Sequence, residues 1–312
     1  MSTKAAVSIL AGLVILIGLA AAFLFVASPR LSTPGAEKLT VAASIFPVAD
    51  IARQVSGEHA VVHVIIPPGV SEHSFELTPQ RLAELQRASV IFQIGHGLDD
   101  QLVGRITGAL PQVRTITVDR GITLREFAAE DEHAEEEEEH AHDSGTDPHY
   151  YLTVPNGSVI ATTVAETLSE LDPAHAADFQ KNLQRYQEQL GAAEQELQAT
   201  ARNLPRKEFI AMHNAWSYFA DQYGLRLVDT YEPVEGREPT LSDLAHLREV
   251  IEQFGLTTFF AEPQKASSAD VSFMQREFGL KILTLDPAGG LAETGSFIDL
   301  MRFNMQSIAE GG

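Results

Sequence analysis

Apolar residues in this chain fall into short branched runs that alternate with longer stretches patterned on one face. Lys38–Ser44 (KLTVAAS), Ala60–Ile66 (AVVHVII), Ser89–Ile94 and Val113–Val118 predict four strands, since such runs are too short for helices. Phe46–Val55 carries a helical pattern, and Thr78-Pro79 opens another helix as cap and first residue. The alternation returns in the second half. Lys207–Met212, Leu225–Thr230, Thr257–Ala261 and Lys281–Leu285 predict strands. Asn214–Tyr223, the stretch from Thr240 to Phe254, Ser267–Phe278 and Ser296–Ile308 predict helices. Between the halves lie a helix ending at Glu170 and a long Gln-, Glu-, Ala- and Leu-rich pattern over Pro173–Asn203. At ~1.5 Å per residue the latter reaches ~45 Å. Too polar to be a core helix throughout, it reads as a backbone joining two domains. Strands alternating with helices predict an α/β fold with parallel sheets covered on both faces.

Two stretches break this pattern. Ala5–Ala27 is apolar but for Ser8 and follows Lys4, long enough to cross the hydrocarbon core of a bilayer. It reads either as a secretory signal peptide cleaved near Val26-Ala27-Ser28 or as a retained membrane anchor. Both readings place the rest of the chain outside the cytoplasm, on the outer face of the cytoplasmic membrane or in the periplasm. The second break, Glu130–Tyr151, begins as a tract of Glu, Asp and His with nothing apolar larger than Ala. Such a tract cannot offset the entropy of ordering, so residues 130–146 are expected to form a mobile loop. The expected organisation is a signal or anchor and linker over 1–37, a first lobe over 38–158, connecting helices over 159–204 and a second lobe over 205–312.

Composition narrows the chemistry. The 312 residues are 44% hydrophobic, enough for proper cores, and carry a formal net charge of −21. That balance argues against nucleic acid, whose phosphates need Lys and Arg, and suits a protein that collects cations. The chain has no cysteine, which excludes disulfides, thiolate metal sites and an amino-terminal lipid-modified cysteine. A metal would be held by nitrogen and oxygen alone.

In open α/β sheets, ligands bind beyond the carboxyl ends of the strands. His73 lies in a loop after a strand, His213 and Asp286 at strand ends, and His149 just before a helix. A cleft between the halves would bring together three imidazoles and one carboxylate, a tetrahedral set suited to Zn²⁺. His63 and His96 have similar claims by position, with His63 expected to be packed in its strand and His96, in a Gly-His-Gly turn, to support a ligand. Glu262, at another strand end, is either a spare ligand or a group that orients a histidine. His59, His175 and His246 are expected on solvent-exposed faces.

The blocks VAASIFPVADIARQVSG, PPGVSEHSFELTP, DPHYYLTVPN, HNAWSYFADQYGL, EPT at Glu238–Thr240, FFAEPQ and LDPAGG occur in this order. Through them the chain resembles the zinc-binding solute-binding proteins of bacterial ABC importers, the ZnuA/TroA group, over Leu39–Ile308. The resemblance implies two Rossmann-like lobes joined by a long rigid helix, with the metal in the interlobe cleft. By motif the ligands are His73, His149, His213 and Asp286, with water or Glu72 able to share the fourth place. The acidic tract before Asp147 is typical of the zinc branch, and its His133, His140 and His142 are auxiliary candidates. A histidine at 213 favours zinc over manganese. The family's Trp-x-Asp-Pro after the DPH block is replaced here by Tyr151-Leu152-Thr153-Val154-Pro155, which puts the surroundings of His149 in question.

The function expected is a non-enzymatic carrier. It would capture Zn²⁺ outside the membrane and deliver it, as a monomer, to an integral-membrane permease driven by a cytoplasmic ATPase. The acidic loop would concentrate or sense zinc. Manganese or ferrous iron is the alternative cargo, and a zinc-dependent surface adhesin the alternative role. A zinc hydrolase with Glu262 as base is disfavoured, because four protein ligands close the site and no His-Glu-x-x-His is present.

Overall fold

The computed structural model describes residues 38–70, 75–127, 145–232 and 239–312. The chain separates into Met1–Lys38 and Leu39–Gly312, and the fold is that of the second unit. The segment 5–27 lies outside the described residues. Among those described, no helix is long and apolar enough to cross a membrane.

Eight strands form two parallel four-stranded sheets. β1 (Leu39–Ala43), β2 (Ala60–Val64), β3 (Val90–Gln93) and β4 (Arg114–Thr117) make the first, in the order β2-β1-β3-β4. β5 (Glu208–His213), β6 (Arg226–Glu232), β7 (Thr258–Ala261) and β8 (Lys281–Thr284) make the second, in the order β6-β5-β7-β8. The two halves repeat one winding. In each, strand order reverses between the first and third strands, where such sheets open a binding crevice.

Period-two side-chain direction divides the interior. Val41, Phe92, Phe209, Ala211 and Phe260 join one central cluster. Their neighbours Ala42 and Ile91, and Ile210, Met212 and Phe259, face two separate outer clusters. Helices α1 (Phe46–Ser56), α4 (Val154–Leu171), α5 (Ala176–Arg202), α6 (Ser217–Tyr223) and α9 (Phe297–Gly311) supply the central cluster. Helices α2 (Pro79–Glu84), α3 (Asp100–Ala109), α7 (Leu241–Phe254) and α8 (Ala269–Phe278) complete the described set. As predicted, Thr78 caps α2; Thr240 caps α7 with a full capping box to Asp243.

The long helix is α5, which at ~1.5 Å per residue spans ~40 Å. Pro173–His175, included in the predicted helix, instead forms a 3-10 turn. Phe179, Leu183, Tyr186, Leu190, Ala193, Leu197 and Ala201 are buried at intervals of three and four, one continuous stripe. All but Ala193 belong to the central cluster, which takes in residues of both sheets. The helix therefore acts as core wall as well as spacer. His59 and His175 depart from expectation: their rings stack with centroids 4.1 Å apart, and Asp178 and Asp172 engage them at 3.1 and 2.6 Å. Both are partly shielded rather than solvent-exposed, while His63 is half-buried in β2 and His246 is exposed.

Candidate metal centre

β5 ends at His213, whose number places it on the face of Phe209 and Ala211, toward the central cluster. Glu262 directly follows the last residue of β7. These two positions flank the reversal of strand order. The Glu262 carboxylate engages Nδ1 of His213, and Gln264 Nε2 donates to its other oxygen at 2.5 Å. A carboxylate on Nδ1 holds the proton there and puts the ring's lone pair on Nε2. Of the two expectations for Glu262, the orienting one describes this contact.

His149 opens a 3-10 turn, His149–Tyr151, after Pro148. Asp147 Oδ1 accepts both the backbone N–H of His149 at 2.9 Å and its Nδ1 at 2.8 Å. The short Asp side chain thus folds the turn and fixes the imidazole in one act. His149 is 2% exposed, and its Nε2 is buried with no hydrogen-bond partner among the described residues. A buried polar atom left so is costly unless a ligand answers it. The rings of His149 and His213 meet edge to face with centroids 5.4 Å apart. Two imidazoles, one from each half, thus adjoin, each with Nδ1 held by a carboxylate.

Asp286 follows β8 by two residues and is 1% exposed. Its Oδ1 accepts the amides of Ala288 at 3.2 Å and Gly289 at 2.7 Å, and its Oδ2 the Thr294 hydroxyl at 3.1 Å. Asn304 exchanges two 2.8 Å bonds with the Asp286 backbone. Burial pushes this carboxyl above the usual range; Thr294, Gly289 and Ala288 pull against that rise, and the Glu262 charge adds to it. The carboxylate organises its own loop, and each oxygen keeps lone-pair capacity. The Asp286 loop also meets the loop after β2: Gly69 N donates to Gly289 O at 2.7 Å. At Gly290, φ is +141° and a Cβ would lie 2.6 Å from Gly69 N, so only glycine fits.

His73 and Glu72, a few residues after Gly69 in the chain, lie outside the described residues, as do His133, His140 and His142. Among the described residues no group of three or more His, Asp or Glu converges as a metal cage. His96 stands at φ +56° with Nε2 2.8 Å from Asp119, and its ring meets Tyr150, the neighbour of His149, rather than His149 itself. The missing family Asp leaves the His149 turn intact. Thr153 in its place accepts the Asn156 amide as the cap of α4, while Asp147 is the carboxylate on the imidazole.

Asp147 was visible only as part of a motif, although an Asp two residues before a His can close this turn. Tyr218 had no sequence signal. Its hydroxyl accepts from Arg125 N at 2.8 Å and donates to Asp147 O at 3.1 Å.

Comparison with known proteins bears on the family and the fold. The family model described as "Zinc-uptake complex component A periplasmic", ZnuA, matches residues 41–311. The high-affinity zinc uptake system protein ZnuA of Bacillus subtilis (strain 168) is 27% identical over 94% of this chain and 95% of its own length. A manganese ABC transporter substrate-binding lipoprotein, PsaA of Streptococcus anginosus, is 25% identical over 91% of this chain and 93% of its own. A crystal structure of ZnuA superposes with a TM-score of 0.76 at 28% identity, covering 88% of this chain and 99% of that one. With two wound sheets and a long helix between them, the chain belongs to the ZnuA family, the substrate-binding components of metal ABC transporters, which are not enzymes.

Proposed function

We propose that the chain captures Zn²⁺ outside the cytoplasmic membrane and passes it to an integral-membrane permease powered by a cytoplasmic ATPase. The observation that carries this reading is the His149–His213 pair, with each Nδ1 held by a carboxylate. Neutral imidazole nitrogen suits Zn²⁺, whereas manganese sites favour oxygen donors. His73 is the third ligand in this reading, and Asp286, Glu72 or water completes the set. The zinc-named relative and a crystallised ZnuA deletion mutant with zinc bound support the same choice. The tract carrying His133, His140 and His142 serves as a weak collecting surface. Manganese is the second reading, favoured by the PsaA relatives.

Calorimetric titration of metal-free protein with Zn²⁺ and, separately, Mn²⁺ tests the proposal. One tight zinc site, with Mn²⁺ far weaker, is expected. His213→Ala should weaken zinc by orders of magnitude, since it removes one of few ligands. Tight Mn²⁺ with no zinc preference would move the cargo to manganese. No tight site for either ion would end the carrier reading.

A further inference from the structure

Between the two halves, beside the paired imidazoles, a small polar assembly joins α6 to the segment around Asp147. Arg125 N donates to the Tyr218 hydroxyl at 2.8 Å, and that hydroxyl donates to Asp147 O at 3.1 Å. The Arg125 guanidinium pairs with Asp221, reaches Ser217 O at 3.5 Å and lies 5.8 Å over the Tyr218 ring. Asp147 N in turn donates to Arg125 O at 2.8 Å, next to the antiparallel bridge of Glu126 with Thr146. Arg125 and Asp147 are thus tied to each other, and both are tied to one helix of the opposite half.

The path through this assembly is short at both ends. Asp147 holds His149 through two hydrogen bonds to one carboxylate oxygen. Four residues separate Tyr218 from His213, along a buried turn in which Ala215 N donates to His213 O at 3.0 Å and Trp216 is 1% exposed. We propose that the Arg125–Tyr218–Asp147 assembly is a latch that fixes the separation of the His149 and His213 imidazoles, with Tyr218 as a positioning residue. This rests on the metal-carrier reading above and adds to it what holds the two halves of the site in register.

Three features suit the role. The Tyr218 hydroxyl uses both its donor and its acceptor capacity, so removing it strands two backbone groups at once. Burial pushes this phenol up to about 12, so it keeps its proton in ordinary buffers and remains a donor. The pairing of Arg125 with Asp221 is on the rim, with side chains 36% and 68% exposed, so it is the part of the latch most open to modulation.

Tyr218→Phe keeps the ring and removes only the hydroxyl. The expected result is about a tenfold faster zinc off-rate, the order of one buried hydrogen bond, measured by transfer to a chromophoric chelator. A second readout needs no metal: in apo protein the His149 side-chain nitrogen NMR signals should broaden or move, because Asp147 no longer stands still. Asp221→Asn, on the surface, should shift both readouts the same way by a smaller factor and guards against a Tyr218→Phe that fails to fold. Unchanged His149 signals in both variants would overturn the latch. So would an unchanged off-rate in a protein that binds zinc tightly. Altered His149 signals in a protein that binds no zinc tightly would support the latch and sink only the cargo assignment.

Discussion

At His213 and His149 the same device appears twice: an acidic side chain takes Nδ1, so the nitrogen that can coordinate is Nε2. Such partners orient the ring and raise its basicity, and their loss usually costs a metal site about 10- to 100-fold in affinity. Glu262→Gln should therefore weaken zinc binding by about that factor, while His213→Ala weakens it far more; equal affinities for wild type and Glu262→Gln in a competition titration would refute the orienting role. The His213 and Asp286 positions were legible because both lie at the ends of strands that the pattern marked out. His149 was legible as a motif. Asp147 was not recognised as its partner, since a turn closed by a side chain leaves no periodicity.

At the scale of elements, local chemistry explains most boundaries. Thr78, Thr153, Thr240, Ser268 and Ser296 each cap a helix with a side-chain oxygen. Thr153 caps α4 through the Asn156 amide, while Asp147 holds His149. Thr153→Ala should cost about 1 kcal/mol of stability, seen as a lower urea midpoint with unchanged slope, and should leave zinc affinity as it was. A large loss of affinity would mean that the cap, and not Asp147 alone, sets the His149 turn. The start of α5 was misplaced by three residues because Pro173 is as welcome in a 3-10 turn as at a helix start. The stacking of His59 on His175 joins the turn before β2 to the turn before α5, distant segments whose proximity no local pattern encodes.

Across the whole molecule, one central cluster runs through both halves, so the sheets do not sit on independent cores. Asp50 of α1 reaches into this junction, where Oδ2 accepts the Phe297 amide at 2.9 Å. Burial pushes its carboxyl up from the ordinary 3.8, against the lowering effects of the Phe297 amide, Gln54 and Arg53. The folded state thus holds this proton more tightly than the unfolded chain. Below the ordinary value both states are protonated and nothing is lost. As pH rises through the raised folded value, ionising the buried group costs the folded state stability. Asp50→Asn keeps an acceptor for Phe297 and removes that cost. Its melting temperature relative to wild type should rise from acid toward neutral pH; a pH-independent difference would show that Asp50 titrates as it does in the unfolded chain. Shared packing of this kind also favours small closure over a wide hinge, as expected from a long helix walled into the core.

The order of strands and helices, the two-half repeat, the long central helix and the family all follow from the sequence, because burial imposes period 2 on strands and about 3.6 on helices and motifs keep their spacing. Tertiary structure alone decided which groups serve the site: that Glu262 holds His213, that Asp286 spends its oxygens on its own loop, and that Tyr218 ties Asp147 to the opposite half. The first and last are contacts between residues far apart in the chain, set by how two sheets pack around one core, and the Asp286 loop is closed by side-chain hydrogen bonds that leave no periodicity; no local pattern of polar and apolar residues contains either.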